Sequence, residues 1–195
     1  MELFGVEVEA CEGVYKPCDD TFMLAEVVQG EVRPGERMLE VGTGTGIIAL
    51  LGAKLGAEVV ATDVSEAAVR CARLNARRNG LKLRVLRCDL MGCVRGRFSL
   101  IVFNPPYLPA EEGEVRDEVS IAWHGGRDGR EVIERFIPLC GEYLERGGRV
   151  LMVQSSLSMP ERTMKMFLSL GFEVSVVAER SFPFERLQVV RAVLP

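Results

Sequence analysis

The chain of 195 residues holds one histidine, one tryptophan and few asparagines or glutamines, and nowhere does it run for 18 apolar residues. The missing apolar run excludes a membrane-spanning helix, and the N-terminus lacks the basic region and apolar stretch of a secretory leader. A soluble, cytoplasmic protein is expected. Six cysteines are scattered at positions 11, 18, 71, 88, 93 and 140. No CxxC pair is present and a single histidine completes no metal set, so the sequence predicts no metal site and reduced core thiols. Internal repeats and low-complexity tracts are also lacking.

A formal net charge of −4 argues against a dedicated nucleic-acid binder. One local basic run, Arg70, Arg73, Arg77, Arg78, Lys82, Arg84 and Arg87, reads either as a cationic patch or as a solvated helix face leading to an edge strand. The length suits one α/β domain with a full core, residues 1–195.

The pattern alternates. Helix 20–29, strand 37–41, helix 47–55, strand 58–62, helix 65–79 and strand 83–87 precede strand 98–103 and helix 129–146. Strand 149–154, helix 159–170 and strands near 172–178 and 188–193 complete the chain, with Ser158-Met159-Pro160-Glu161 reading as a capping box. Such alternation predicts a mostly parallel sheet flanked by helices.

The segment Phe103-Asn104-Pro105-Pro106-Tyr107 ends a buried strand. Asn104 offers an amide oxygen, and Pro106 leaves the Pro105 carbonyl without the usual following N–H, so two acceptors can converge on a planar NH2 group beside the Tyr107 ring. That suits N-alkylation of a carboxamide or of an exocyclic amine on a base. The plainer reading is a stiff turn. Upstream, Glu40-Val41-Gly42-Thr43-Gly44-Thr45-Gly46 lies between a strand and a helix, the arrangement of a nucleotide-cofactor site. Its spacing is G-x-G-x-G after an acidic residue, unlike the G-x-G-x-x-G of a dinucleotide site. Glu40 would oppose a pyrophosphate and attract an amino-acid ammonium. S-adenosylmethionine fits better than NAD.

Asp63 ends the next strand, placed to accept from ribose hydroxyls, and Asp89-Leu90 follows the one after, placed for the adenine amine and ring. Any one Asp after a strand is commonly a cap or turn former. Glu40, Asp63, Asp89 and Asn104 at four successive strand ends form a stronger signal, because open α/β sheets bind ligands at that edge.

Together with Tyr15-Lys16-Pro17, Asp20-Thr21-Phe22-Met23-Leu24-Ala25-Glu26 and Ala122-Trp123-His124-Gly125-Gly126-Arg127-Asp128-Gly129-Arg130-Glu131-Val132, these motifs cover most of the chain. They resemble the class I S-adenosylmethionine-dependent methyltransferases with an NPPY motif, in particular the HemK-like protein-glutamine methyltransferases of the single-domain archaeal and eukaryotic branch. The resemblance implies a Rossmann-like seven-stranded sheet of order 3-2-1-4-5-7-6 with the last strand antiparallel. It implies methylation of the glutamine of the GGQ motif in a class I release factor. Thr21 is placed at the cofactor's amino-acid end, and Gly42, Gly44, Gly46 and Val64 join Glu40, Asp63, Asp89, Leu90 and Asn104 in the cofactor set. Asn104, Pro105, Pro106 and Tyr107 would form the catalytic set. Bacterial members carry an N-terminal helical domain, for which no room precedes Tyr15. The branch also implies a small zinc-containing activator protein, matched to an edge strand, Leu83 to Arg87, with more apolar residues than a protected edge usually shows. His124 stands where a small residue is expected.

The long connection after Asn104 carries Glu111, Glu112, Glu114, Asp117 and Glu118 and reads as a substrate entrance repelling phosphate, or as a merely solvated loop. A DNA or RNA N-methyltransferase, an NAD oxidoreductase and a non-catalytic scaffold remain as alternatives.

Overall fold

In the computed structural model, which describes residues 1–109 and 125–195, β3 (Arg37–Val41) lies at the centre of a seven-stranded sheet. Met38, Leu39, Glu40 and Val41 are all buried, as expected of a strand covered on both faces. Parallel neighbours flank it. On one side stand β4 (Glu58–Asp63) and then β5 (Arg84–Arg87) at the edge; on the other stand β6 (Phe98–Phe103) and β7 (Leu144–Ser155). Strands β8 (Glu173–Ser181) and β9 (Arg186–Val193) complete the order β5-β4-β3-β6-β7-β9-β8, with β9 antiparallel to both of its neighbours. Numbered within the sheet, this is the expected 3-2-1-4-5-7-6.

Helix α1 (Asp19–Glu31) precedes β3. The apolar helix α2 (Ile47–Lys54) follows it, so close to β3 that a Cβ on Gly52 would lie 2.5 Å from the Met38 sulfur. Helix α3 (Glu66–Arg78) is amphipathic: Ala68, Val69, Cys71, Ala72, Asn75 and Ala76 face inward while its arginines face water. As the sequence predicts, Ser65 caps it, accepting from the Ala68 N–H at 3.3 Å. Among the described residues no helix is long and apolar enough to cross a membrane.

Three expectations need correction, and one element lies outside them. The single helix over 129–146 is instead α4 (Glu131–Phe136), a 3-10 turn (Ile137–Leu139) and α5 (Cys140–Tyr143), and Leu144 already pairs with Phe98. Pro138 has no N–H for the α ladder, which is where the helix changes character. The capping box at 158–161 does not form. Ser158 is buried and its hydroxyl donates to the Ser155 carbonyl at 3.0 Å, while Met159, at φ +53°, precedes Pro160 at the start of α6 (Pro160–Ser169). A two-strand hairpin, β1 (Glu2–Leu3) with β2 (Val6–Glu7), turns through Phe4 and Gly5, both at positive φ, and is too short to show a period. Finally, the thiols are not all reduced: Cys11 is bonded to Cys71 and Cys88 to Cys93, each pair with Cα atoms 5.9 Å apart, leaving Cys18 and Cys140 free.

Edge strand β5 is better protected than its sequence suggests. Val85 is 4% exposed and belongs to the main core, and its carbonyl accepts from Arg73 Nη2 at 2.7 Å. A charge placed at Val85 would therefore disrupt the core before it disrupted any partner. The basic run is largely engaged as well: Arg70 and Arg87 pair with Glu66, and Arg78 with Glu9. The solvated-face reading describes it.

Candidate active site

The carboxyl ends of β3, β4, β5 and β6 open on one cavity of about 480 Å³, within the ~300–1,000 Å³ usual for small-molecule sites. Glu40, Gly42, Gly44, Asp63, Val64, Asp89, Leu90, Asn104, Pro105, Pro106, Tyr107 and Thr21 all line it. Gly46 does not. At φ +84° it begins α2, and a Cβ there would come within 2.9 Å of the Ala72 Cβ, so its role is the close approach of α2 to α3.

Glu40 is 5% exposed, and both of its bonds fall on Oε2, from the Thr43 hydroxyl at 2.5 Å and the Ala49 N–H at 3.0 Å. Burial pushes its carboxyl up to about 8, against the pull of those two donors and with the help of the Asp63 charge. Asp63 joins two turns, accepting from the Gly44 N–H on Oδ2 and the Ser65 N–H on Oδ1, each at 2.9 Å. Burial raises it above the ordinary carboxyl range despite these bonds. Asp89 is exposed and accepts from Arg135 Nη2 at 2.5 Å; Arg135, which sequence reasoning left out, also lines the cavity. Leu90 stands at φ +50°, held by the Thr62 hydroxyl on its carbonyl at 2.9 Å.

At the β6 end the hub is Asp20, which the sequence supplies only as a member of a motif. It is 4% exposed. Its carboxylate accepts from the Thr21 N–H at 2.6 Å and from the hydroxyls of Thr21, Tyr15 and Tyr107 at 3.1 Å each. It also accepts from Asn104 Nδ2 at 3.0 Å. Asn104 Oδ1 is buried and has no partner among the described residues. Burial, reinforced by the Asp20 charge, holds both phenols well above their usual range, so Tyr15 and Tyr107 remain neutral donors. No local signal announces this hub, because Asn104 lies 84 residues from Asp20.

The chain after Tyr107 is gripped by the glycines that begin the next described segment. The Gly125 N–H donates to the Leu108 carbonyl at 2.9 Å, and a Cβ on Gly129, at φ +71°, would overlap the Tyr107 carbonyl oxygen. Buried Arg130 ties this segment to the start of α6 through the Ser158 and Met159 carbonyls and the Thr163 hydroxyl. Ala122, Trp123 and His124, with Glu111, Glu112, Glu114, Asp117 and Glu118, lie outside the described residues.

A family model described as the methyltransferase small domain matches residues 15–182. Over 194 residues the chain is 38% identical to a Methanocaldococcus jannaschii protein provisionally named protein N5-glutamine methyltransferase, covering 98% of each. Over 193 residues it is 34% identical to methyltransferase HEMK2 of Mus musculus, covering 93% of this chain and 90% of that one. The solved E. cuniculi Mtq2-Trm112 complex, responsible for methylation of the eRF1 translation termination factor, contains a chain of the same fold. It aligns with a TM-score of 0.76 at 24% identity over 94% of this chain and 99% of that chain. A family match across most of the cavity-forming residues and an archaeal relative aligned nearly end to end go further than a shared fold: the chain belongs to the methyltransferase small domain family, among the HemK-like N5-glutamine methyltransferases.

Proposed function

We propose that the protein transfers a methyl group from S-adenosylmethionine to the side-chain nitrogen of the GGQ glutamine in a class I release factor. The observation that carries the reading is the buried, unpartnered Oδ1 of Asn104 on the wall of the cavity. A buried acceptor without a donor is rare in a folded protein, and an incoming NH2 group is the donor that would satisfy it.

The cavity residues fit the cofactor. Asp63 would take the ribose hydroxyls, Glu40 and Thr21 the amino-acid end, and Asp89 and Leu90 the adenine, with Gly42, Gly44 and Val64 completing the wall. When bound, S-adenosylmethionine supplies an electrophilic methyl on a sulfonium. Asn104 Oδ1 and the Pro105 carbonyl would hold the two hydrogens of the glutamine NH2, and the Tyr107 ring would pack on the amide plane. A nitrogen so held would be set to attack that methyl as its bond to sulfur breaks, with sulfur keeping the bonding electrons and the extra proton passing to water, so little general-base catalysis would be needed. Placing the nitrogen in line with the methyl can lower a barrier by on the order of 7–11 kcal/mol.

Exposed apolar side chains favour a protein acceptor. Two turns are bonded together, Arg186 N–H to Ser156 Oγ at 3.0 Å and Ser155 Oγ to Glu185 Oε1 at 2.6 Å. They present Phe184, 95% exposed, with Leu157 and Met159 also exposed. Exposed apolar side chains suit a protein surface better than a phosphate backbone. The accompanying proposals are a single methyltransferase unit over residues 1–195, a cytoplasmic location beside translation termination, and a small zinc-containing activator pairing along β5.

The test is label transfer from methyl-labelled S-adenosylmethionine to a release factor. Label that disappears when the GGQ glutamine is replaced by alanine supports the reading. Label that enters nucleic acid instead would establish the base-amine alternative.

A further inference from the structure

We infer that Asp20 is a positioning residue for methyl transfer, fixing the Asn104 amide so that its nitrogen is held and its oxygen is left to receive the substrate NH2. The inference rests on the glutamine-methylation reading above and names the group that makes the NPPY asparagine an acceptor.

A carboxylate only accepts, so the end of Asn104 that meets Asp20 Oδ2 at 3.0 Å is its NH2. Turning the amide over would set Asn104 Oδ1 against Asp20 Oδ2, two acceptors at hydrogen-bond distance in a place water does not reach, since Asp20 is 4% exposed. Asp20 cannot turn away either. Its other oxygen is held by the Thr21 N–H at 2.6 Å and the Thr21 hydroxyl at 3.1 Å, and the Tyr107 hydroxyl shares Oδ2 with Asn104. Five donors therefore converge on an acceptor-only group, and the orientation of both Asn104 and Tyr107 follows from it. An amide at position 20 would present an NH2 to donors at one of its two ends and remove the constraint. The relationship spans the first turn of α1 and the end of β6, which explains why Asp20 and Asn104 belong to one device although each sits in its own motif.

Three measurements test it. In wild-type protein, the Asn104 side-chain amide, assigned by its disappearance in Asn104→Ala, should give one resolved, slowly exchanging proton pair; a rapidly exchanging pair would overturn the proposal without any activity assay. Asp20→Asn should reduce kcat on the glutamine substrate on the order of 100-fold with S-adenosylmethionine saturating, a condition that separates kcat from any loosening of Thr21, which Asp20 also holds. Unchanged kcat, or a loss explained by lost cofactor binding, would overturn it. Finally, in Asp20→Asn the Asn104 proton pair should exchange faster than in wild type, because Asp20 acts by holding that amide; exchange as slow as in wild type would show that Asp20 does not hold it. If wild-type protein methylates no glutamine, the functional reading fails while the amide measurement still decides the role of Asp20.

Discussion

Asn75 pairs with the backbone of Glu9 as a neighbouring strand would: its Oδ1 accepts from the Glu9 N–H and its Nδ2 donates to the Glu9 carbonyl, both at 3.0 Å. One helical turn later Asn79 repeats the pattern on Glu7, at 2.9 and 2.6 Å. The match is geometric. Four helical residues rise about 6 Å and two strand residues about 6.6 Å, so asparagines at i and i+4 meet backbone groups at alternate residues. The segment so held continues through Cys11, bonded to Cys71, into Gly13, Val14, Tyr15 and Pro17 of the cavity wall.

Asn75→Ala should therefore loosen that wall. It removes the partners of Glu9 and of the Thr45 carbonyl, which Asn75 Nδ2 also reaches at 2.9 Å, and should cost about 2–3 kcal/mol of stability. Denaturant unfolding gives the cost, and weaker S-adenosylhomocysteine binding in calorimetry should accompany it.

Asp63→Ala should weaken cofactor binding on the order of tenfold or more by removing the ribose acceptor. The fold should persist with reduced stability, because the Gly44 and Ser65 N–H groups lose their partner as well. Calorimetry that returns wild-type affinity would remove Asp63 from the cofactor site.

Glu40 makes stability depend on pH. Its folded value of about 8 lies above the ordinary 4.5, so the folded state holds the proton more tightly than the unfolded state. The stabilisation it contributes is full below pH 4.5 and is lost as pH rises through about 8. Ligand-free protein should melt at a lower temperature at pH 9 than at pH 6, and Glu40→Gln should flatten that difference.

Asn104→Ala should abolish methylation while leaving cofactor affinity largely in place. Asn104→Asp should fail too, because a carboxylate would then face the Asp20 carboxylate at the position now 3.0 Å away. Turnover and cofactor binding measured on the same preparations separate the two effects.

If the activator pairs along β5, the amides of Arg84–Arg87 should gain protection from hydrogen exchange when it is added, and activity should rise with it. This measurement needs no substitution at Val85, which the core would not tolerate. Unchanged exchange along β5 would place the partner elsewhere.

Glu40, Asp63, Asp89 and Asn104 were legible because each follows a strand whose apolar run marks it, and parallel strands bring their ends to one edge. The sheet order came with the family resemblance. What local pattern could not show depends on distance along the chain. Asp20 meets Asn104 and Tyr107 across the fold, and Cys11 meets Cys71 at a separation of 60 residues. Helix 129–146 misled because its apolar spacing continues through Pro138, where hydrogen bonding cannot. Gly46 was placed with the cofactor from its motif, whereas its neighbour is Ala72.

The central claim is most directly tested by incubating the protein with S-adenosylmethionine, its release factor and the activator, then fragmenting the GGQ peptide by mass spectrometry. The account predicts one added methyl group on the glutamine side chain, present with wild-type protein and absent with Asn104→Ala. An unmodified glutamine in a reaction where the protein methylates another residue or a nucleic acid would contradict it.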